Sequence, residues 1–192
     1  ATPALGLDYY QKSIQRSLNF SNLRKENYKK YINYKNYPKT SKLDFFPIRL
    51  DIENVSRCNF KCDMCMVSQW HKGKRAGDLS IENFKKIIDE FYSLVEIKLH
   101  GFGEPLMQGE DYFRMIEYAK SKIIWVRMVT NGSLLHLKDN YKKLIDTNTD
   151  EIQISIDGAT KKVFEKIRKG SSFEQILKNC ENINRYAKDD NR

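Results

Sequence analysis

Long apolar runs are absent from this sequence. Hydrophobic residues make up 40% of its 192 positions, yet no stretch approaches the ~18 consecutive apolar residues of a membrane-spanning helix. No membrane segment is therefore expected, and the composition reads as a soluble globular chain whose length suggests one domain. The opening Ala-Thr-Pro-Ala-Leu-Gly has neither the basic start nor the long apolar stretch expected of a secretory leader. Cysteine is sparse as well, with four residues in all. Such usage argues against a disulfide framework and for a reducing compartment, so the cytoplasm is the expected location.

Acidic residues are scarce in the first quarter. Residues 1–49 hold ten Lys or Arg against three acids, which accounts for +7 of the chain's +9 net charge. Tyr28, Tyr31, Tyr34 and Tyr37 are interleaved with Lys29, Lys30 and Lys35 in the same stretch. Basic residues among aromatics can form a nucleic-acid surface. No RNA-binding signature accompanies them, and a helix whose tyrosines pack inward while its lysines reach water explains the pattern better. Nucleic acid is not the expected partner.

What cysteine there is, is concentrated. Cys58, Cys62 and Cys65 lie in one run, Cys-Asn-Phe-Lys-Cys-Asp-Met-Cys. A thiolate triad this compact can hold three irons of a cubane cluster and leave the fourth open. Structural zinc takes four protein ligands, commonly as two spaced pairs. A zinc-binding interaction module would have to recruit His71 or Cys180, and it stands as the alternative. Cys180 shares a helical stripe with Phe173, Ile176, Leu177 and Ile183, the position of a core residue.

Residues 8–40 read as a helix stopped by Pro38. After it, strand and helix alternate. Ile48, Leu50 and Ile52 alternate with polar residues at strand period. Ser80 caps a helix whose apolar face is Ile81, Phe84, Ile87, Ile88 and Phe91. Val95, Ile97 and Leu99 form a second strand followed by a helix over 112–119; 123–129 is a third strand, with a helix over 138–145. Ile152 and Ile154 mark a fourth, followed by helices near 163–167 and from Phe173, the latter opened by a Ser171–Glu174 capping box. Such alternation implies a parallel sheet with right-handed crossovers, in which ligands gather at the strands' carboxyl ends. There the strands run into the cysteine loop, Gly101-Phe102-Gly103-Glu104-Pro105, Thr130-Asn131-Gly132 and Ser155-Ile156-Asp157-Gly158. One site built from these loops is the economical reading.

The triad, in this order before the GxGEP segment, resembles the CxxxCxxC and GGEP motifs of the radical S-adenosylmethionine (radical SAM) superfamily. Residues Ser155 to Gly158 followed by Lys166-Ile167-Arg168 resemble the fourth-strand region of its SPASM/twitch-like branch. The resemblance implies an α/β fold, a partial (β/α)6 barrel with about four β/α units present, preceded by an N-terminal helical extension. Residues 1–46 would be the basic extension and 47–192 the radical SAM core. It further implies a [4Fe–4S] cluster on Cys58, Cys62 and Cys65, with S-adenosylmethionine chelating the open iron.

By the same resemblance Met64 packs against adenine, Gly103 and Glu104 receive the methionine amino group, and Thr130, Asn131, Ser155 and Asp157 offer polar contacts. Arg168 is a further candidate for the carboxylate. Asn131-Gly132 is equally a common turn pair, and Arg168 equally fits a solvated, dipole-complementing helix end. His100 is a candidate for the substrate side, and Trp70 and His71 for the cover of the site. The activity implied is reductive cleavage of S-adenosylmethionine to a 5′-deoxyadenosyl radical that abstracts hydrogen from a peptide or sugar-type substrate. The positive charge favours an anionic one. An electron donor such as a flavodoxin or ferredoxin is implied, docking through the basic surface. The two missing strands and the lack of an auxiliary-cluster cysteine make the chain read as a fragment with an exposed fourth-strand edge.

Overall fold

The computed structural model describes residues 7–37, 42–70 and 77–189. Tyr10, Ile14 and Leu18 recur every four residues along Leu7–Asn19 (α1) and give it one buried face. The single long helix expected over 8–40 is two helices. Ser21 takes an extended conformation, and its hydroxyl accepts the N–H of Arg24, which starts a new helix at Asn22–Asn36 (α2). Pro38 lies outside the described residues.

The strands and helices then follow in the predicted order. Arg49–Ile52 (β1) runs into the cysteine loop, which ends in the short helix Met66–Gln69 (α3). Ile81–Glu90 (α4), capped by Ser80 as expected, leads to Glu96–Leu99 (β2) and Glu110–Ser121 (α5). Trp125–Thr130 (β3), Asn140–Asp146 (α6), Glu151–Ile154 (β4), Lys161–Ile167 (α7) and Phe173–Asp189 (α8) complete the chain. α8 is capped by Ser172 rather than Ser171: the Ser172 hydroxyl accepts Gln175 N–H at 3.4 Å and its carbonyl accepts Ile176 N–H at 3.1 Å.

The four strands are parallel and ordered β1-β2-β3-β4. Each is followed by helix before the next, the arrangement of a partial α/β barrel. Strand alternation places Leu50, Ile52, Ile97, Leu99, Val126, Met128, Ile152 and Ile154 on one face, where they pack with Phe84, Ile88, Tyr112, Met115, Ile116 and Leu144 of α4, α5 and α6. The opposite face carries charge in cross-strand pairs: Arg49–Glu96 at 2.6 Å, Arg127–Glu151 at 2.9 Å and Lys98–Asp51 at 3.2 Å. Acids match bases there, so the positive excess of the sequence does not lie on this face. Among the described residues no helix is long and apolar enough to cross a membrane.

The basic helices sit under the amino ends of the strands. Ile14 and Leu18 pack on Val95, and Tyr10 donates to Glu96 at 2.5 Å. The tyrosines of α2 are used in packing, as Tyr31 and Tyr34 both contact the ring of Phe45. Arg24, 3% exposed, fastens this layer. Its guanidinium donates to the carbonyls of Tyr92 at 3.2 Å and Lys122 at 2.9 Å, and to the Ser17 hydroxyl at 2.8 Å. Tyr92 and Lys122 lie just past the ends of α4 and α5, where helix carbonyls lack intrahelical donors. Burial pulls the Arg24 pKa down to about 10, so the group remains charged at neutral pH. Arg24→Ala leaves those carbonyls and a side-chain-sized hole. A loss of about 3 kcal/mol is expected, measurable in urea unfolding. A loss below ~1 kcal/mol would show that the staple is dispensable.

Candidate active site at the carboxyl ends of the strands

The Gly-rich segment after β2 lies directly on the cysteine loop. Glu104 N–H donates to the carbonyl of Arg57 at 2.9 Å, and Phe102 N–H to the Glu53 carboxylate at 2.7 Å. At Gly103 an added Cβ would lie 2.7 Å from the Arg57 carbonyl oxygen and closer still to that of Val55. The absent side chain thus makes room for the cysteine loop itself, a different reason from the ligand approach inferred from sequence.

From its other side the loop is held by α7 and α8. Phe60 and Cys62 pack with Phe164 and Ile176, and half-buried Cys180 belongs to this apolar cluster, as its stripe predicted. Lys61 N–H donates to the Lys169 carbonyl at 2.9 Å, and the Lys169 ammonium reaches Asp63 at 2.8 Å. The Asn131 amide donates to Asn59 Oδ1 at 2.9 Å and approaches Cys58 Sγ at 3.8 Å; its oxygen accepts the Ser133 N–H at 2.9 Å and hydroxyl at 2.6 Å. Asn131 therefore serves the turn and the cysteine loop together. Asn59 and Ser133, which complete this network at 2.8 Å, were missed by sequence reasoning. Nothing in residue type separates them from ordinary turn polar residues.

These loops enclose a cavity of about 470 Å³ lined by Cys58, Cys62, Cys65, Met64, Gly103 and Glu104 on one side and Thr130, Asn131, Ser155 and Arg168 on the other. Of the predicted cofactor contacts, Asp157 alone does not line this cavity; it pairs with Arg168 at 2.6 Å. The Arg168 side chain is only 14% exposed, so it is a wall residue rather than a solvated helix end. His100 lines the cavity too, and its Nδ1 is buried without a partner among the described residues. Burial lowers the His100 pKa, against the pull of Asp51. Trp70 packs edge-on against Phe102 at 5.5 Å, beside the mouth, while His71 lies outside the described residues. A larger cavity, about 720 Å³, opens at the amino ends around Tyr9, Arg16 and Trp125. It holds no cysteine and lies at the end that in such folds serves stability.

Glu104 is 1% exposed. One carboxylate oxygen accepts the Thr130 hydroxyl at 2.7 Å and Leu106 N–H at 3.3 Å, the other Asn131 N–H at 2.8 Å. Burial pushes its pKa up, and these hydrogen bonds and the Arg168 charge oppose the shift. Burial likewise raises the thiols of Cys58 and Cys62; the Phe60 N–H opposes this at Cys58, and Arg168 at Cys62. A buried carboxylate held by neutral donors retains a lone pair for a cation, and an ammonium group fits that need. The three thiols fit a cluster, which presents a separate iron to each thiolate. Zinc would draw its ligands to about 2.3 Å from a common point. Among the described residues no three His, Cys, Asp or Glu side chains converge in that way, and the zinc alternative gains no support.

Fold and site define a parallel α/β protein with a cysteine-lined cavity at the carboxyl ends of its strands. Residues 53–190 match the Radical SAM superfamily, and the chain belongs to that family. Its members are enzymes whose cofactors are a [4Fe–4S] cluster and S-adenosylmethionine. The mycofactocin maturase MftC of Mycobacterium tuberculosis is 33% identical over 139 residues, covering 71% of this chain and 34% of the maturase. The GTP 3′,8-cyclase of Aliarcobacter butzleri is 31% identical over 154 residues, 76% of this chain and 46% of the cyclase. This chain therefore spans less than half the length of either relative. Streptococcus suis SuiB bound to S-adenosylmethionine superposes with a TM-score of 0.64 at 17% identity, over 83% of this chain and 35% of SuiB. SuiB bound to precursor peptide SuiA gives 0.61 at 17% identity, over 73% of this chain and 31% of SuiB. At this identity the SuiB likeness shows the fold.

Proposed function

We propose that this chain carries the cofactor site of a radical SAM enzyme that modifies a peptide. The observation that carries the reading is the convergence of Cys58, Cys62, Cys65 and Glu104 on one cavity at the strand ends. The three cysteines would hold the cluster and Glu104 the amino group of S-adenosylmethionine, with Met64, Ser155 and Arg168 in reach of the rest of the ligand. When bound, these cofactors supply reductive cleavage of S-adenosylmethionine and abstraction of hydrogen from an unactivated carbon. The chain's own work is placement. Asn131 fixes the loop around Cys58, Gly103 lets the cysteine loop and the GxGEP segment touch, and Thr130 and two backbone N–H groups orient the Glu104 carboxylate. A peptide is the substrate class we favour: one relative is named a maturase, and SuiB, which shares the fold, is seen bound to a precursor peptide.

The test is anaerobic reconstitution followed by strong reduction, with methionine and 5′-deoxyadenosine expected in equal amounts. Glu104→Gln removes the charge at nearly constant volume. Losing a charge-assisted hydrogen bond costs about 1.5–3 kcal/mol, so S-adenosylmethionine affinity should fall roughly 10- to 100-fold by calorimetry with iron content unchanged. Unaltered affinity would remove Glu104 from the site.

A further inference from the structure

A second basic surface, apart from α2, flanks the cysteine loop. Residues 157–170 hold five Lys or Arg against two acids. On α7, Phe164 points inward against Phe60 and Cys62, while Lys162 and Lys166, one turn apart, are exposed. Exposed Lys61 is tied by its backbone bond to Lys169, just past the end of α7. The nearby acids are engaged: Asp157 with Arg168 at 2.6 Å, Glu174 with Lys161 at 2.8 Å, Asp63 with Lys169 at 2.8 Å, and Glu165 with Phe173 N–H at 3.0 Å. Among the described residues no ion pair neutralises Lys162 or Lys166.

The two basic surfaces stand at opposite ends of the sheet. α2 is fastened by Arg24 to the carbonyls of Tyr92 and Lys122, just before β2 and β3, so at least a strand's length, roughly 13–20 Å, separates it from the cysteines. The α7 lysines are separated from Cys62 by one helix, about 10 Å thick. Electron transfer weakens steeply with distance, and charge complementarity raises encounter rates. We propose that the α7 face, Lys162 and Lys166 with Lys61 at its edge, is the docking surface for an acidic one-electron donor protein. This rests on the reading that Cys58, Cys62 and Cys65 hold a cluster. One electron leaves the donor's centre, oxidising it, and reduces the cluster by one; no atom moves.

The experiment follows stopped-flow reduction of the reconstituted chain by reduced ferredoxin at low and high ionic strength, with binding of oxidised ferredoxin titrated in parallel. Lys162→Glu/Lys166→Glu should slow reduction about tenfold or more at low salt and weaken binding, with the difference shrinking at high salt. Its iron content and the extent of bleaching by dithionite should match the parent. Lys25→Glu/Lys35→Glu on α2 should leave the ferredoxin rate unchanged. An unchanged rate in the α7 variant, or a larger loss in the α2 variant, overturns the docking surface. Weaker binding of an acidic peptide with an unchanged ferredoxin rate assigns the patch to substrate and overturns it too. If the parent chain holds no dithionite-reducible cluster, the underlying reading fails, and the proposal with it.

Discussion

Cys62→Ser is expected to leave the chain unable to hold its cluster, although the fold survives. The substitution nearly conserves volume at a site that is 6% exposed and packed against Phe60, Phe164 and Ile176. The metal-free protein should therefore melt within a few degrees of the parent. Iron and sulfide after anaerobic reconstitution should fall from about four each to a small fraction of that, because a cubane held by three thiolates loses an anchor. Cys58→Ser and Cys65→Ser should behave alike. Cys180→Ser is the internal control: that thiol belongs to the same apolar cluster but does not line the cavity, so its iron content should equal the parent's. A stable cluster in the Cys62 variant, or a lost one in the Cys180 variant, would place the ligands elsewhere.

The site was legible from sequence to the extent that its chemistry is strand-end chemistry. Period-two alternation at Leu50, Ile52, Ile97 and Leu99 located the strands because one sheet face is apolar and the other charged. Parallel connection then brought the loops to one rim. Contacts between loops were beyond reach. Asp157 looked like a ligand from its strand-end position, yet it faces Arg168; Asn131 looked like either a turn residue or a functional one, and its amide serves both the turn and the cysteine loop. The break at Ser21 was hidden because Tyr and Lys recur on both sides of it, and only the capping hydrogen bond to Arg24 reveals why the chain turns there. The basic stretch was read first as a packing helix, and charge complementarity offered it as a docking face for the donor that the resemblance implies. Its place under the amino ends of the strands is a tertiary fact, set by a buried arginine that composition counts merely as one more positive charge.

Gly103→Ala separates two explanations of the same glycine. If the missing side chain admits the cofactor, a methyl group should weaken S-adenosylmethionine binding and leave the cluster intact. In the structure that methyl group meets the Val55 and Arg57 carbonyls, the latter at 2.7 Å. Both are backbone atoms that no side-chain rotation can move aside, and the conformation of Gly103 lies outside the left-handed region, so the cost is steric alone. Relief requires the cysteine loop and the β2 rim to part, stretching the Glu104 N–H to Arg57 carbonyl bond and shifting Cys58 from its partners. A destabilisation of about 2–3 kcal/mol is expected, together with a loss of reconstituted iron. Gly101→Ala is the matched control, because the three atoms nearest its methyl all belong to the flexible Glu53 side chain, which can swing away with loss of its bond to Phe102 N–H. That variant should keep its iron and lose about 1 kcal/mol or less. A Gly103→Ala protein with full iron, parental stability and weakened S-adenosylmethionine binding would return the glycine to the cofactor and take it from the loop.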